Sequence, residues 1–146
     1  MKFTKKQIDR YSRQIILKKI GVIDKDKVEI SNLSRQIIFD SKDINKNKAI
    51  TSAKKLKKIN PDIQMKFFSK KLTNKNINQI AKNFDLIVDG SDNFRTRFLV
   101  NNYCQKNKKI LISGAISKFD GQIYTFNFKK KILHVCNVLF PTPRMT

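Results

Sequence analysis

The sequence predicts an α/β fold with a mostly parallel sheet and a C-terminal antiparallel hairpin. Three observations carry this. Helix-like and strand-like segments alternate through the middle of the chain. Two short apolar runs, FDLIVDG (Phe84 to Gly90) and KILISGAI (Lys109 to Ile116), have the length of strands buried in a parallel sheet. Beyond them, FDGQIYTFNF repeats at every second residue, through Gln122, Tyr124, Phe126 and Phe128, as an antiparallel strand does.

The elements follow in order. Thr4 to Lys19 reads as a helix with Ile8, Tyr11, Ile15 and Ile16 toward one face. Val22-Ile23 and Val28 to Ile30 bracket a short strand and its turn, and Ser31 to Asp40 is irregular. Asp43 to Ile59 reads as a helix, with an acid near its start and Lys57-Lys58 near its end to suit the macrodipole. Pro61 stops it. Ile63 to Phe68 is a strand, Asn74 to Asn83 a short helix, and Asn93 to Lys106 a longer one. A last strand is expected near Lys131 to Asn137.

The 146 residues, 40% of them apolar, suit one domain (1–146) with one modest core. No apolar run approaches the ~20 residues of a membrane span, and the N-terminus lacks a signal-like apolar stretch after its lysines. Cys104 and Cys136 form no CxxC pair, so a reducing, cytoplasmic setting is expected. The net charge of +21 invites a polyanionic partner. Only Arg10, Arg13, Arg35, Arg95, Arg97 and Arg144 of the 32 basic residues are arginine, however. The lysines are spread along the chain among asparagine and isoleucine, as A/T-biased codons would place them. No nucleic-acid-binding motif accompanies them, so no dedicated nucleic-acid function is expected.

Two stretches carry candidate chemistry. In VIDKD, Asp24 ends a strand where a doubly wound fold holds a ribose, with Asp26 just beyond; an acid-rich turn has the same look. In VDGSDN, Asp89 and Asp92 end a strand just before a helix, where carboxylates hold magnesium beside phosphates or merely cap the helix. Arg35, in SNLSRQ, and Lys48 have the charge to meet a phosphate. Arg10 and Arg13 lie three apart on the first helix. His134, the one histidine, has no neighbouring base or nucleophile in sequence and receives no catalytic role.

Six stretches in order, RYSRQIIL, DKDKVEISNLSRQ, INKNKAITSAKKLKKINPDI, DLIVDGSDNFRTRFLVN, LISGAISKFDGQIYTF and LFP, resemble the ThiF-type members of the ubiquitin-activating-enzyme-like superfamily. These are the adenylyltransferases of sulfur carriers in molybdopterin and thiamine biosynthesis. The resemblance implies a Rossmann-like fold, ATP and Mg²⁺ as cofactors, a ubiquitin-like sulfur-carrier protein as partner, and a homodimer. By position, Asp24 resembles the ribose-binding acid, and Asn32, Arg35 and Lys48 the contacts to ATP phosphates. Asp92 resembles the magnesium-binding aspartate, and Arg13 the arginine that reaches the partner subunit's phosphates.

The chain departs from that pattern in two places. In such proteins a first strand and a GxGGLG-type loop with its helix follow the stretch that ends here at Gly21. Here Val22-Ile23-Asp24 of the second strand comes at once. Only Gly21, Gly90, Gly114 and Gly121 are glycines, and no GxG occurs. A βα segment of roughly 30 to 40 residues is therefore expected to be missing. Val135 and Val138 stand where relatives carry a zinc-binding CxxC, and the region holding the second CxxC is absent, so no zinc is expected. Two function classes follow: an adenylyltransferase, alone or with a chain that supplies the missing strand, and a non-catalytic remnant or carrier-binding module of the same family.

Overall fold

The computed structural model describes residues 5, 19–117 and 120–129. The chain, read above as one domain, divides into two compact units, Met1–Lys71 and Leu72–Thr146, each with its own sheet.

In the first unit, strand β1 (Lys19–Ile23) pairs in parallel with β2 (Gln64–Phe68), and helix α1 (Lys48–Ile59) lies in the crossover between them. Lys19, assigned above to the first helix, opens β1 instead; the rest of that predicted helix, beyond Lys5, lies outside the described residues. The helix predicted from Asp43 begins at Lys48. Asn45 adopts a left-handed backbone (φ 68°), which breaks any helix through it. Asn47 then caps α1, accepting from the Ile50 N–H at 3.1 Å. Short 3-10 turns at Ile30–Asn32 and Ser41–Asp43 occupy the irregular stretch. The expected segment from Val28 to Ile30 forms no strand; Val28 is instead fully buried, exchanging backbone hydrogen bonds with Asn45 and Lys46.

The second unit has the strand order β3-β4-β5: β3 (Leu86–Asp89) pairs in parallel with β4 (Ile110–Ser117), and β4 pairs antiparallel with β5 (Asp120–Asn127). Helices α2 (Ile77–Ala81) and α3 (Phe94–Lys106) supply Ile77, Ala81, Val100, Tyr103 and Cys104 to a core with Leu111 and Phe126. The alternation in β5 shows here as an aromatic row, with Tyr124–Phe126 centroids 6.3 Å apart and Phe126–Phe128 5.9 Å apart. β3 departs from the expectation of burial on both faces: Leu86 and Val88 are exposed. Its core-facing side meets the α2–α3 core, while among the described residues no strand pairs its second edge. The last predicted strand, from Lys131 to Asn137, lies outside the described residues.

One ion cluster fastens the loop before α1. Lys55, midway along α1, bridges Asp40 at 2.6 Å and also pairs with the buried Asp43. Its hydrogen bonds hold both carboxyls below their ordinary value of 3.8, and theirs hold the Lys55 ammonium above its ordinary 10.5. Depressed carboxyl values stabilise the fold above the unfolded value near 3.8 and cease to do so as pH falls through the folded values. The raised ammonium value stabilises below 10.5, an effect lost as pH rises through its folded value. Lys55→Met should therefore lower the urea midpoint at neutral pH, and its deficit relative to the parent should shrink as pH is taken below 3.8. Urea titrations from pH 3 to 8 check this; a deficit independent of pH would assign Lys55 a packing role only.

Candidate functional site

The carboxyl end of β1 is where an open α/β sheet presents ligand-binding groups. Here it opens into a cleft of about 340 Å³ within the first unit. Val22, Ile23, Ile37, Ile38 and Phe39 give it apolar walls, and Asp24, Arg35, Gln36, Lys48 and Ser52 its polar groups. Three predicted site residues, Asp24, Arg35 and Lys48, thus come together although 24 positions separate the first from the last.

Local chemistry explains how. Asp24 Oδ1 accepts from the Asp26 N–H at 2.8 Å, which turns the chain away from β1. Arg35 leaves the first 3-10 turn with its guanidinium donating to the Ser31 carbonyl at 2.8 Å, and it is exposed. Lys48 is the first residue of α1, and its N–H donates to the Asp26 carbonyl at 2.9 Å. A cation there opposes the helix macrodipole, and that conflict is relieved when an anion sits between them. Gln36 Oε1 is buried and has no hydrogen-bond partner among the described residues. A buried acceptor left without a donor is costly, and a ligand hydroxyl or amine would satisfy it.

Asn47 is the residue that sequence reasoning missed. Besides capping α1, its amide donates to the carbonyls of Asp24, Lys25 and Asp26 at 3.3, 3.4 and 3.2 Å. One side chain thereby fixes the acid-bearing turn against the start of the lysine-bearing helix. The signal was available as an N-cap residue just before an apolar period, but an asparagine among many carries little weight. Asn32, predicted to contact phosphate, is buried and does not line the cleft; its side-chain oxygen accepts from the Glu29 N–H at 3.1 Å and closes the 3-10 turn.

Asp92 and Asp89 stand in the second unit, at the carboxyl end of β3. Asp89 is buried and accepts from the Ser91 N–H at 3.0 Å, shaping the turn. Asp92 is exposed. The cap of α3 is Asn93, which accepts from the Thr96 N–H at 2.9 Å, so Asp92 is not spent on capping. Arg97, a second residue not singled out from sequence, ties this turn down: its guanidinium donates to the carbonyls of Ser91 and Gly114 and to Ser113 Oγ. Among the described residues no group of three or more ligating side chains is poised for a metal. A lone exposed aspartate fits magnesium only in the manner where phosphates and water supply most of its coordination. Arg13, His134, Cys136, Val135 and Val138 lie outside the described residues.

The ThiF family profile matches residues 16–146. The chain belongs to the ThiF family. It is 41% identical over 111 residues to a probable molybdopterin-synthase adenylyltransferase of Porphyra purpurea, covering 76% of this chain and 29% of that protein. It is 33% identical over 164 residues to the sulfur carrier protein adenylyltransferase of Thermus thermophilus, covering 87% of this chain and 60% of that protein. The E. coli protein MccB, in a crystal structure with ATP, superposes with a TM-score of 0.61 at 25% identity, over 74% of this chain and 33% of that one. The chain thus spans between about a third and three fifths of the length of these proteins. Among its described residues no helix is long and apolar enough to cross a membrane.

Asn47→Ala should lose the cap and the loop clamp together, about 1–2 kcal/mol of stability. Asn47→Asp keeps the acceptor for the Ile50 N–H and loses the three donated bonds, so it should fall between parent and alanine variant. Chemical denaturation of the three proteins checks the order; an aspartate variant equal to the parent would remove the clamp from the account.

Proposed function

We propose that the cleft binds the phosphates and ribose of ATP, and that the chain serves in adenylating the terminal carboxylate of a ubiquitin-like sulfur-carrier protein. The observation that carries this reading is the meeting of Asp24, Arg35 and Lys48 in one cleft at the end of β1. Similarity to named sulfur-carrier and molybdopterin-synthase adenylyltransferases, and to MccB solved with ATP, supports the choice of nucleotide and acceptor.

In the proposed reaction a carboxylate oxygen of the carrier attacks the α-phosphorus of ATP. A new O–P bond forms, the bond from the α-phosphorus to the bridging oxygen breaks, and the electron pair leaves with pyrophosphate. The protein's part is positioning and charge neutralisation. Asp24 accepts from ribose hydroxyls, and Gln36 Oε1 takes a further donor from the nucleoside. Arg35 and Lys48, with the N-terminus of α1, offset phosphate charge. Asp92 would hold magnesium, which when bound neutralises phosphate oxygens. Arg13 is assigned to the phosphates of a neighbouring subunit.

A second reading, a carrier-binding module without catalysis, draws on the absence of any GxG in the sequence. A glycine loop supplies backbone N–H groups to the phosphates, and Arg35 and Lys48 replace its charge but not its geometry. Thermal unfolding with Mg·ATP, with tripolyphosphate as control for plain charge attraction, separates binding from its absence, because a ligand selective for the native state raises the transition. A rise with ATP beyond the control, lost in Arg35→Ala, is expected. Gln36→Met should leave the apo transition unchanged or higher while reducing the ATP-induced rise, since it removes an acceptor unsatisfied without ligand. Pyrophosphate exchange that disappears in Asp92→Ala then identifies the enzyme. Carrier binding with no exchange identifies the binding module, and indifference to ATP overturns both the nucleotide site and its chemistry.

A further inference from the structure

We propose that the open edge of β3 docks a parallel β-strand supplied by a second polypeptide, in the form of a strand–glycine turn–helix segment. The edge is chemically ready for one. The Ile110 N–H donates to the Asp85 carbonyl at 3.1 Å, so odd-numbered residues of this strand turn their peptide groups toward β4. Leu86 and Val88 therefore turn theirs the other way, where the described residues provide no strand. Edge strands of folded proteins are ordinarily short, charged, bulged or covered. This one is short, at four residues, but it reads Leu-Ile-Val-Asp and leaves Leu86 and Val88 44% and 69% exposed.

The face beside the edge is equally unfinished. Helices α2 and α3 pack on the side of the sheet that carries Leu111 and Phe126. The opposite side carries Val88, Ile116 and Ile123, the last two 86% and 78% exposed. Parallel strands are stable with both faces covered, so a strand that arrives with its own helix answers both needs. A lone strand or a lone helix answers one.

The size of what is missing fixes the occupant. The match to the Thermus thermophilus relative is 164 residues long, whereas 87% of these 146 residues is about 127. About 37 positions of that relative thus stand opposite nothing here, the length of one strand, turn and helix. The 111-residue match to the Porphyra purpurea relative equals 76% of the chain, so it proceeds without such a gap. In the doubly wound order the first strand lies beside the fourth, and β3, as the fourth in that order, is left open on that side.

The test uses a synthetic peptide of those ~37 positions of the Thermus thermophilus protein, fluorescently labelled, titrated with the full chain without nucleotide. Saturable binding is expected. Val88→Pro removes an N–H that points to the open edge and spares the bonds to β4, and should weaken binding more than about tenfold. N-methylation of the peptide's strand residues, which leaves their side chains in place, should do the same with the parent chain, so a folding defect in Val88→Pro cannot mimic the result. Absence of binding overturns the proposal. So does binding that survives N-methylation, which would mean adsorption to the apolar face, and so does a dimer of the chain that saturating peptide fails to dissociate. Because no nucleotide is present, failure here is independent of failure at the cleft.

Discussion

Backbone hydrogen bonding in a parallel sheet admits no local repair when a strand is missing. An antiparallel strand can be replaced by folding back a hairpin, but parallel neighbours are joined only through a crossover. The paired strands here obey that rule: β1 reaches β2 through α1, and β3 reaches β4 through α3. With no segment after Gly21 to form a further strand, the described residues settle into a two-stranded and a three-stranded sheet, each an ordered set of bonds with an unfinished side. The antiparallel β5 closes the far side of β4 but cannot serve β3.

The cleft survives because none of its contacts depends on the lost segment. Asp24 is held by its own turn and by Asn47, Lys48 by the start of α1, and Arg35 by Ser31. The Lys55 cluster with Asp40 and Asp43 then fixes the intervening loop to the same helix. All of these bonds lie within residues 24 to 55, so the groups proposed to meet ribose and phosphate form a locally encoded unit.

Much of this was legible in the sequence, for identifiable reasons. The parallel strands were readable because FDLIVDG and KILISGAI are short, apolar and bounded, and the hairpin because FDGQIYTFNF alternates. The places of Asp24, just past β1, and Asp89, at the end of β3, were readable because each closes a short apolar run. The start of α1 was misread, since Asp43 looks like a capping acid and nothing in composition reveals that Asn45 takes a left-handed backbone. The exposure of Leu86 and Val88 was illegible because apolarity reports a strand's usual surroundings and not whether they are present. Asn47 and Arg97 escaped because their roles are contacts to carbonyls of other segments, which leave no periodic trace.

The groups in the cleft also constrain how the proposed nucleotide can be held. A glycine loop binds phosphate through fixed peptide dipoles, which keep their aim without a net charge. What stands in the cleft is a guanidinium, an ammonium and the first turn of one helix. Net charges on flexible side chains attract any polyphosphate and discriminate poorly among them. Discrimination must then come from the neutral and acidic groups: Asp24, which repels phosphate and welcomes hydroxyls, and the buried Gln36 oxygen, which is satisfied only by a donor. A ribose-bearing ligand meets both demands and an inorganic polyphosphate meets neither. On the proposed reading, selectivity for a nucleotide over bare phosphate chains therefore rests on Asp24 and Gln36, which contribute nothing to phosphate attraction.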